Sequence, residues 1–403
     1  LEAGRAPAKT PEFRPMRTVQ DGRGAWVATS SGERLAVTDP RVTVLVPSMG
    51  RLGTEALVAV IRGYGLNARA GRENDEAILK TGRAHTSCKE CLPLILTTGT
   101  LLDYVRNGRR PDEVVVYFMP TGSGPCRFGQ YAIFMEDLIR RLRIPDVAFM
   151  ALSSDNSYVG MDKDFERRVW WAVVVSDALE DARSMLLAAA ADPAAATAVF
   201  EEQWRRITAV MEEGRYGRLT AQLARCAERL KGIPLCRRPE EVPVVSLTGE
   251  IFVRRDALSR QYLTERLAEK GFATRCAPVA EWVHYCDHLV THGCNREMLD
   301  ARRRLRLRLR NFFQGRYERR IKSILARSGL VTADGPEVGS IIENARPHLS
   351  PDLTGEAVLT VGGSLTEVLR YSCGVIAIGP FGCMPNRLAE AILSETMTAR
   401  DKL

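Results

Sequence analysis

The stretch RVTVLVPSMGRLGTEALVAVIRGYGLNARAG, Arg41 to Gly71, carries the pattern that decides the fold. A β-branched run, VTVLV, leads through a turn with Gly50 into a segment of helical period, then a Gly-Tyr-Gly stop and a second short strand-like piece. The order strand, turn, helix, strand returns in DEVVVYFMPTGSGPCRFGQYAIFMEDLIRRLRIPDVAFMAL, Asp112 to Leu152. It restarts in IPLCRRPEEVPVVSLTGEIFVRRDALSRQYLTERLAEKGFATRCAPV, Ile233 to Val279, and CGVIAIGPFGCMPNRLAEAILSE, Cys373 to Glu395, supplies a last unit. Strands joined through helices run parallel, because the crossover returns the chain to the same end of the sheet. The expected fold class is α/β, with two doubly wound parallel-sheet lobes and intervening helices.

A chain of 403 residues exceeds the roughly 250 to 300 at which one core stops growing, so more than one lobe is expected. Residues 1–40 read as an irregular N-terminal arm with a hairpin around GAWVATSSGERLAV, 41–160 as the first lobe, 161–238 as a helical segment and 239–403 as the second lobe. Within the helical segment EEQWRRITAVMEEG and LTAQLARCAERLKG each stop at glycine. A further helical stretch spans roughly 296–330. There ARRRLRLRLRNFFQGRYERRIKSIL resembles a nucleic-acid stripe, but Leu305, Leu309, Phe312 and Phe313 recur at near-helical spacing, which predicts an amphipathic helix with solvated arginines and no nucleic-acid partner.

Hydrophobic and charged fractions of 45% and 26% place the chain among globular proteins. The most apolar region is interrupted by Asp177, Glu180, Asp181, Arg183 and Asp192, so no membrane span is expected, and a cytoplasmic location follows as the expectation. The first residues lack the apolar core of a signal peptide and do not begin with Met, which suggests a fragment or a processed chain. Neither a phosphate-binding G-x-x-x-x-G-K-[ST] loop nor a G-x-G-x-x-G turn is present, so any nucleotide chemistry belongs to another chain.

Ten cysteines in such a protein argue for metal or redox chemistry rather than a disulfide framework. Cys91, Cys126 and Cys383 each stand at or just before the first turn of a predicted helix, and the last two follow a buried strand directly. Helix N-termini offer free N–H groups and a partial positive charge to sulfur, and ligand sites in open α/β sheets form at the carboxyl ends of the strands. Soft thiolates beside Gly-rich turns, without clustered histidines, point to iron–sulfur chemistry, and Cys88 of TSCKECLPL can join Cys91. A dithiol redox motif is the alternative for Cys88 and Cys91, and buried structural thiols the alternative for all.

Cys286, Cys294 and Cys373 lie nearer the inferred crevice than Cys226, Cys236 and Cys276, which read as small buried hydrophobes. His284, His288 and His292 follow a four-residue spacing that suits a partly satisfied helix face better than a metal site. Glu250, Arg254 and Arg255 at a strand's end either bind an anionic group or pair among themselves to fix the loop.

The motifs TSCKECLPLILTTG, FMPTGSGPCRFGQY, SLTGEIFVRRDALSR, EWVHYCDHL and IGPFGCMPNRLAEAIL resemble the 2-hydroxyacyl-CoA dehydratase D-component family, over about residues 41–403. The nearest likeness is to the cluster-bearing portion of acyl-CoA dehydratase activase-related and double-cubane cluster proteins. The resemblance implies two flavodoxin-like lobes around an oxygen-sensitive cluster, either 4Fe-4S or a double-cubane 8Fe-9S. It implies as ligands Cys91, Cys126 and Cys383, with Cys88 as a fourth thiolate and Cys294 and Cys373 as second-tier ligands of a double cubane. An extra thiolate at Cys88 would close the iron site that a dehydratase leaves open to substrate. The implied partners are an ATP-dependent activase, separate or fused, an acyl-CoA or other small-molecule substrate, and a second copy in a dimer. The implied function is an electron-accepting dehydratase or reductase component, the alternative being a non-catalytic cluster-bearing module.

Overall fold

The computed structural model describes residues 13–21, 24–87, 89–122, 126–151, 162–292, 301–333, 337–370 and 372–398. Within them the chain is mixed α/β with two parallel sheets and one small antiparallel sheet. The antiparallel sheet, β1 (Arg17–Asp21), β2 (Gly24–Ala28) and β3 (Arg34–Ala36), occupies the arm expected to be irregular. The hairpin around Gly24 to Val37 is its β2–β3 half. The third strand escaped notice because five residues flanked by charge show no sustained alternation.

The first parallel sheet has the order β5-β4-β6-β7, from β4 (Val42–Val46), β5 (Ala68–Ala70), β6 (Val114–Phe118) and β7 (Val147–Met150). VTVLV in β4 is buried at all five positions because it lies between β5 and β6 with helices on the faces, the environment that continuous β-branched runs fit. The second sheet has the order β10-β8-β9, from β8 (Val244–Gly249), β9 (Ala273–Cys276) and β10 (Gly374–Ile378), all parallel. In each sheet the chain leaves a central strand toward one edge and later returns to the other side. The switch points therefore lie between β4 and β6 and between β8 and β10, where the loops diverge and leave a crevice.

Helix Lys163–Ala189 joins the halves. It is buried on nearly every side, from Trp170 through Val175 to Leu186, since it packs against helix Arg51–Arg62 on the first sheet and against β9 of the second. One apolar cluster runs from β4 through this helix to the helices Pro193–Glu213 and Tyr216–Lys231. Asp177 interrupts the apolar face. It is 5% exposed and pairs with Arg255 at 2.7 Å while accepting from the N–H groups of Val279 and Ala280 at 3.1 and 3.0 Å. That carboxylate thus starts helix Val279–His292 and ties it to the loop after β8. Asn74 of the first lobe donates to Asp256 of the second at 2.8 Å, and both are buried.

Helix Ala301–Leu325 is rotated relative to the expectation. Leu305, Leu309, Phe312 and Phe313 are 52–61% exposed, and the inward face is made by Leu307, Ile321, Ile324 and Leu325. The C-terminal half carries the stronger apolar contacts and, with the Arg310–Asp287 and Glu318–His284 pairs, sets the rotation. The N-terminal half follows rigidly, with Leu307 inward and Leu305 and Leu309 turned outward. No helix among the described residues is long and apolar enough to cross a membrane.

Candidate functional site

Three loops meet where the two crevices face each other. The first is the loop after β6, in which Cys126 precedes a short turn at Arg127–Gln130 and helix Tyr131–Leu142. The second is the loop after β10, in which Cys383 precedes helix Met384–Thr398. The third starts helix Leu92–Asp103, with Cys91 as its cap and Pro93 in the first turn, where a missing N–H costs nothing. Cys91, Cys126 and Cys383 are thereby brought into one electrostatic neighbourhood: Cys126 and Cys91 each act on Cys383 or are acted on by it.

Arg127 pins the three loops. Its guanidinium donates to the carbonyl of Lys89, two residues before Cys91, and to that of Gly382, immediately before Cys383, at 3.1 Å. Gly382 has φ 74°, a left-handed conformation that a side chain would resist. Gly249 at the end of β8 has φ 104°, and a Cβ there would stand 2.0 Å from the Ile378 carbonyl, so only glycine lets β8 and β10 end side by side.

Phe128 N–H donates to Cys126 Sγ at 3.4 Å, and the N–H groups of Leu94 and Asn386, at the starts of their own helices, favour the thiolates of Cys91 and Cys383. Cys91 also lies 2.6 Å from the Tyr131 hydroxyl, whose proton burial holds firmly, so the phenol is placed to donate to the sulfur. Burial nevertheless dominates all three thiols. It raises Cys91 and pushes Cys383 up to about 11 and Cys126 to about 12, the surrounding protein outweighing the solvent-facing edge of Cys126. As free thiols they are protonated near neutrality and poor nucleophiles; a bound cation reverses that by displacing the protons.

Two carboxylates close the far side. Glu250 follows β8 and accepts from Val253 N at 2.8 Å; Glu356 begins helix Glu356–Arg370 and accepts from Ile251 N at 2.9 Å. Burial, then the charge of Glu250, pushes Glu356 up to about 8, and burial raises Glu250 as well. The three residues do not pair among themselves: Glu250 caps the turn Ile251–Arg255, while Arg254 stands 3.6 Å from Glu356 and Arg255 pairs with Asp177. Glu356 has no motif of its own, but the tripeptide Thr-Gly-Glu occurs at 248–250 and again at 354–356, and that repetition was the available signal.

Cys88 and Cys294 lie outside the described residues. Cys373 is not brought to the crevice. Its thiol donates to Val244 O at 3.2 Å at the amino end of the sheet, and the five residues of β10 put roughly 16 Å between it and the Cys383 end. Cys226 and Cys276 are buried as expected, whereas Cys236 is exposed. Cys286 lines the cleft from helix Val279–His292. Of the histidines on that helix, His284 pairs with Glu318 at 2.8 Å and His288 stacks on His292 with ring centres 3.9 Å apart. Among the described residues no three His, Cys, Asp or Glu side chains converge as ligands of a single metal ion. A polynuclear group, unlike a single ion, takes its thiolates at wider spacing and accepts N–H bonds at sulfur, such as the one Phe128 offers Cys126.

Comparisons of the chain with protein-family models, with curated proteins and with solved structures gave no match. What fold and site define is a class: an α/β protein with two parallel sheets whose carboxyl ends enclose a cleft lined by thiols and protonatable carboxylates.

Proposed function

We propose that the protein is an iron–sulfur redox component of the kind its resemblance to the 2-hydroxyacyl-CoA dehydratase D-component family implies. It would accept low-potential electrons from an ATP-hydrolysing activase and pass them to a small molecule in the cleft. The observation that carries the reading is the Arg127 clamp, which gathers the loops of Cys91, Cys126 and Cys383 from far apart in sequence, with Phe128 N–H donating to the Cys126 sulfur. Those three thiols, with Cys88 as a fourth, would hold the cluster. A bound cluster supplies one-electron reduction at low potential.

The remaining chemistry belongs to the chain. N–H groups of Leu94, Phe128 and Asn386 neutralise charge on the sulfurs and so favour the reduced state. Glu356 holds its proton near neutral pH at the cleft wall that Cys126 also lines, ready to protonate a reduced substrate. With no phosphate loop in this sequence, ATP hydrolysis falls to the partner.

The test is anaerobic purification with iron and acid-labile sulfide measured per chain and electron paramagnetic resonance recorded with and without dithionite. About four irons support a single cubane on Cys88, Cys91, Cys126 and Cys383, and about eight a double cubane. Serine at position 91, 126 or 383 should lower iron content, and serine at 373 should leave it unchanged. Neither iron nor sulfide after attempted reconstitution would end the reading.

A further inference from the structure

Past the thiols the cleft continues into a cavity of about 420 Å³, a volume typical of small-molecule sites. One end is polar, with Cys126, Glu250 and Glu356. The body is apolar, walled by Leu57, Met119, Phe165, Trp170, Val283 and Trp282, residues from both halves of the chain. The charges on the wall decide what can enter.

Among the described residues two cationic side chains reach the lining, Arg255 and Arg310, and each already forms an ion pair with a carboxylate. Arg255 is bound to Asp177 at 2.7 Å and Arg310 to Asp287, each partner being nine-tenths buried or more. Against them stand five carboxyl groups, Glu166, Asp177, Glu180, Glu250 and Glu356, and no lysine or histidine lines the cavity among the described residues. A phosphate or carboxylate would leave water for a wall with no uncompensated cation, at a large desolvation cost.

We propose that this cavity binds an uncharged, largely apolar small molecule, its polar end beside Cys126 and its body against Phe165, Trp170 and Trp282. Coenzyme A thioesters, with their phosphates, are outside the class. Naming the molecule as the reducible substrate rests on the iron–sulfur reading; its binding does not, and is measured without iron.

The probe is 6-propionyl-2-dimethylaminonaphthalene, a neutral apolar fluorophore, titrated into the metal-free protein. Saturable, blue-shifted fluorescence is expected, insensitive to salt and undiminished by butyryl-CoA. Val173→Trp and Val283→Trp, which fill the cavity from two different helices, should each weaken binding by at least about tenfold. If circular dichroism shows that one variant fails to fold, the other decides. The double substitution Phe312→Ser/Phe313→Ser removes part of the exposed apolar patch on helix Ala301–Leu325 and should leave binding unchanged. Displacement by butyryl-CoA, loss of binding in the serine double variant, or no effect of the tryptophans would overturn the proposal. Because iron content is measured separately, failure here and failure of the cluster reading remain distinct.

Discussion

Arg127 donates to the Gly382 carbonyl at 3.1 Å across 255 residues of sequence, and this single hydrogen bond couples the thiol loop of the first sheet to that of the second. The partner bond to Lys89 brings in the Cys91 loop. Because Arg127 is exposed, its contribution to global stability is small; its effect is to limit the positions the three sulfurs can take.

Arg127→Gln should therefore leave the melting temperature nearly unchanged and still reduce the iron retained per chain. Arg127→Lys should behave similarly, since an ammonium lacks the fork that reaches two carbonyls at once. Iron analysis after desalting, beside a thermal melt, separates this from unfolding. Full iron retention in both variants would remove the clamp from the argument.

Asp177 is a structural linchpin of a different kind. Asp177→Ala leaves Arg255 buried without its carboxylate and two N–H groups of helix Val279–His292 without an acceptor. The expected loss is about 3 to 5 kcal/mol in urea denaturation, and Asp177→Ala combined with Arg255→Met should lose less than the single change.

The pH dependence of metal-free protein should reveal Glu356. Its folded pKa, about 8, lies above the ordinary carboxylate value, so the group's contribution is fully present at low pH and is lost as pH rises from the ordinary range through about 8. Against Glu356→Gln, which cannot ionise, the wild type should lose melting temperature progressively between those limits. A constant difference between the two proteins across that window would contradict the buried, protonated carboxyl.

Gly249→Ala tests the seam between β8 and β10. A methyl group 2.0 Å from the Ile378 carbonyl, at a φ of 104°, forces the strands apart. Destabilisation of at least about 2 kcal/mol is expected from the backbone conformation alone. An unchanged denaturation midpoint would mean the loop relaxes freely.

Much of the architecture was legible beforehand for local reasons. VTVLV and VVVYF are β-branched runs that only a sheet covered on both faces buries, and each is followed by a helix whose period is plain, so strand type and parallel direction follow from short-range pattern. Helix Ala301–Leu325 shows the limit of the same reasoning. Its stripe of Leu305, Leu309, Phe312 and Phe313 has helical spacing yet faces out, because rotation about a helix axis is set by whichever turns pack most strongly, here those at Leu307, Ile321 and Ile324.

The site divides in the same way. Cys91, Cys126 and Cys383 stand out in the sequence because each sits at a strand-to-helix or loop-to-helix turn, and a helix start is a local property. Cys373 lies ten residues before Cys383, yet a five-residue strand separates them, and only the direction of β10 assigns it to the opposite end of the sheet. Glu356 left only the repeated Thr-Gly-Glu as a trace, and the roles of Tyr131 and the Arg127 clamp left none, since a hydrogen bond across 255 residues leaves no period or spacing behind. The sequence by itself determined the elements, their parallel sense and the turns that carry thiols, all set by contacts within a few residues. Tertiary structure alone decided which turns meet, which carboxyls are buried beside them and which cations are already paired, because those depend on how two separately wound sheets face each other.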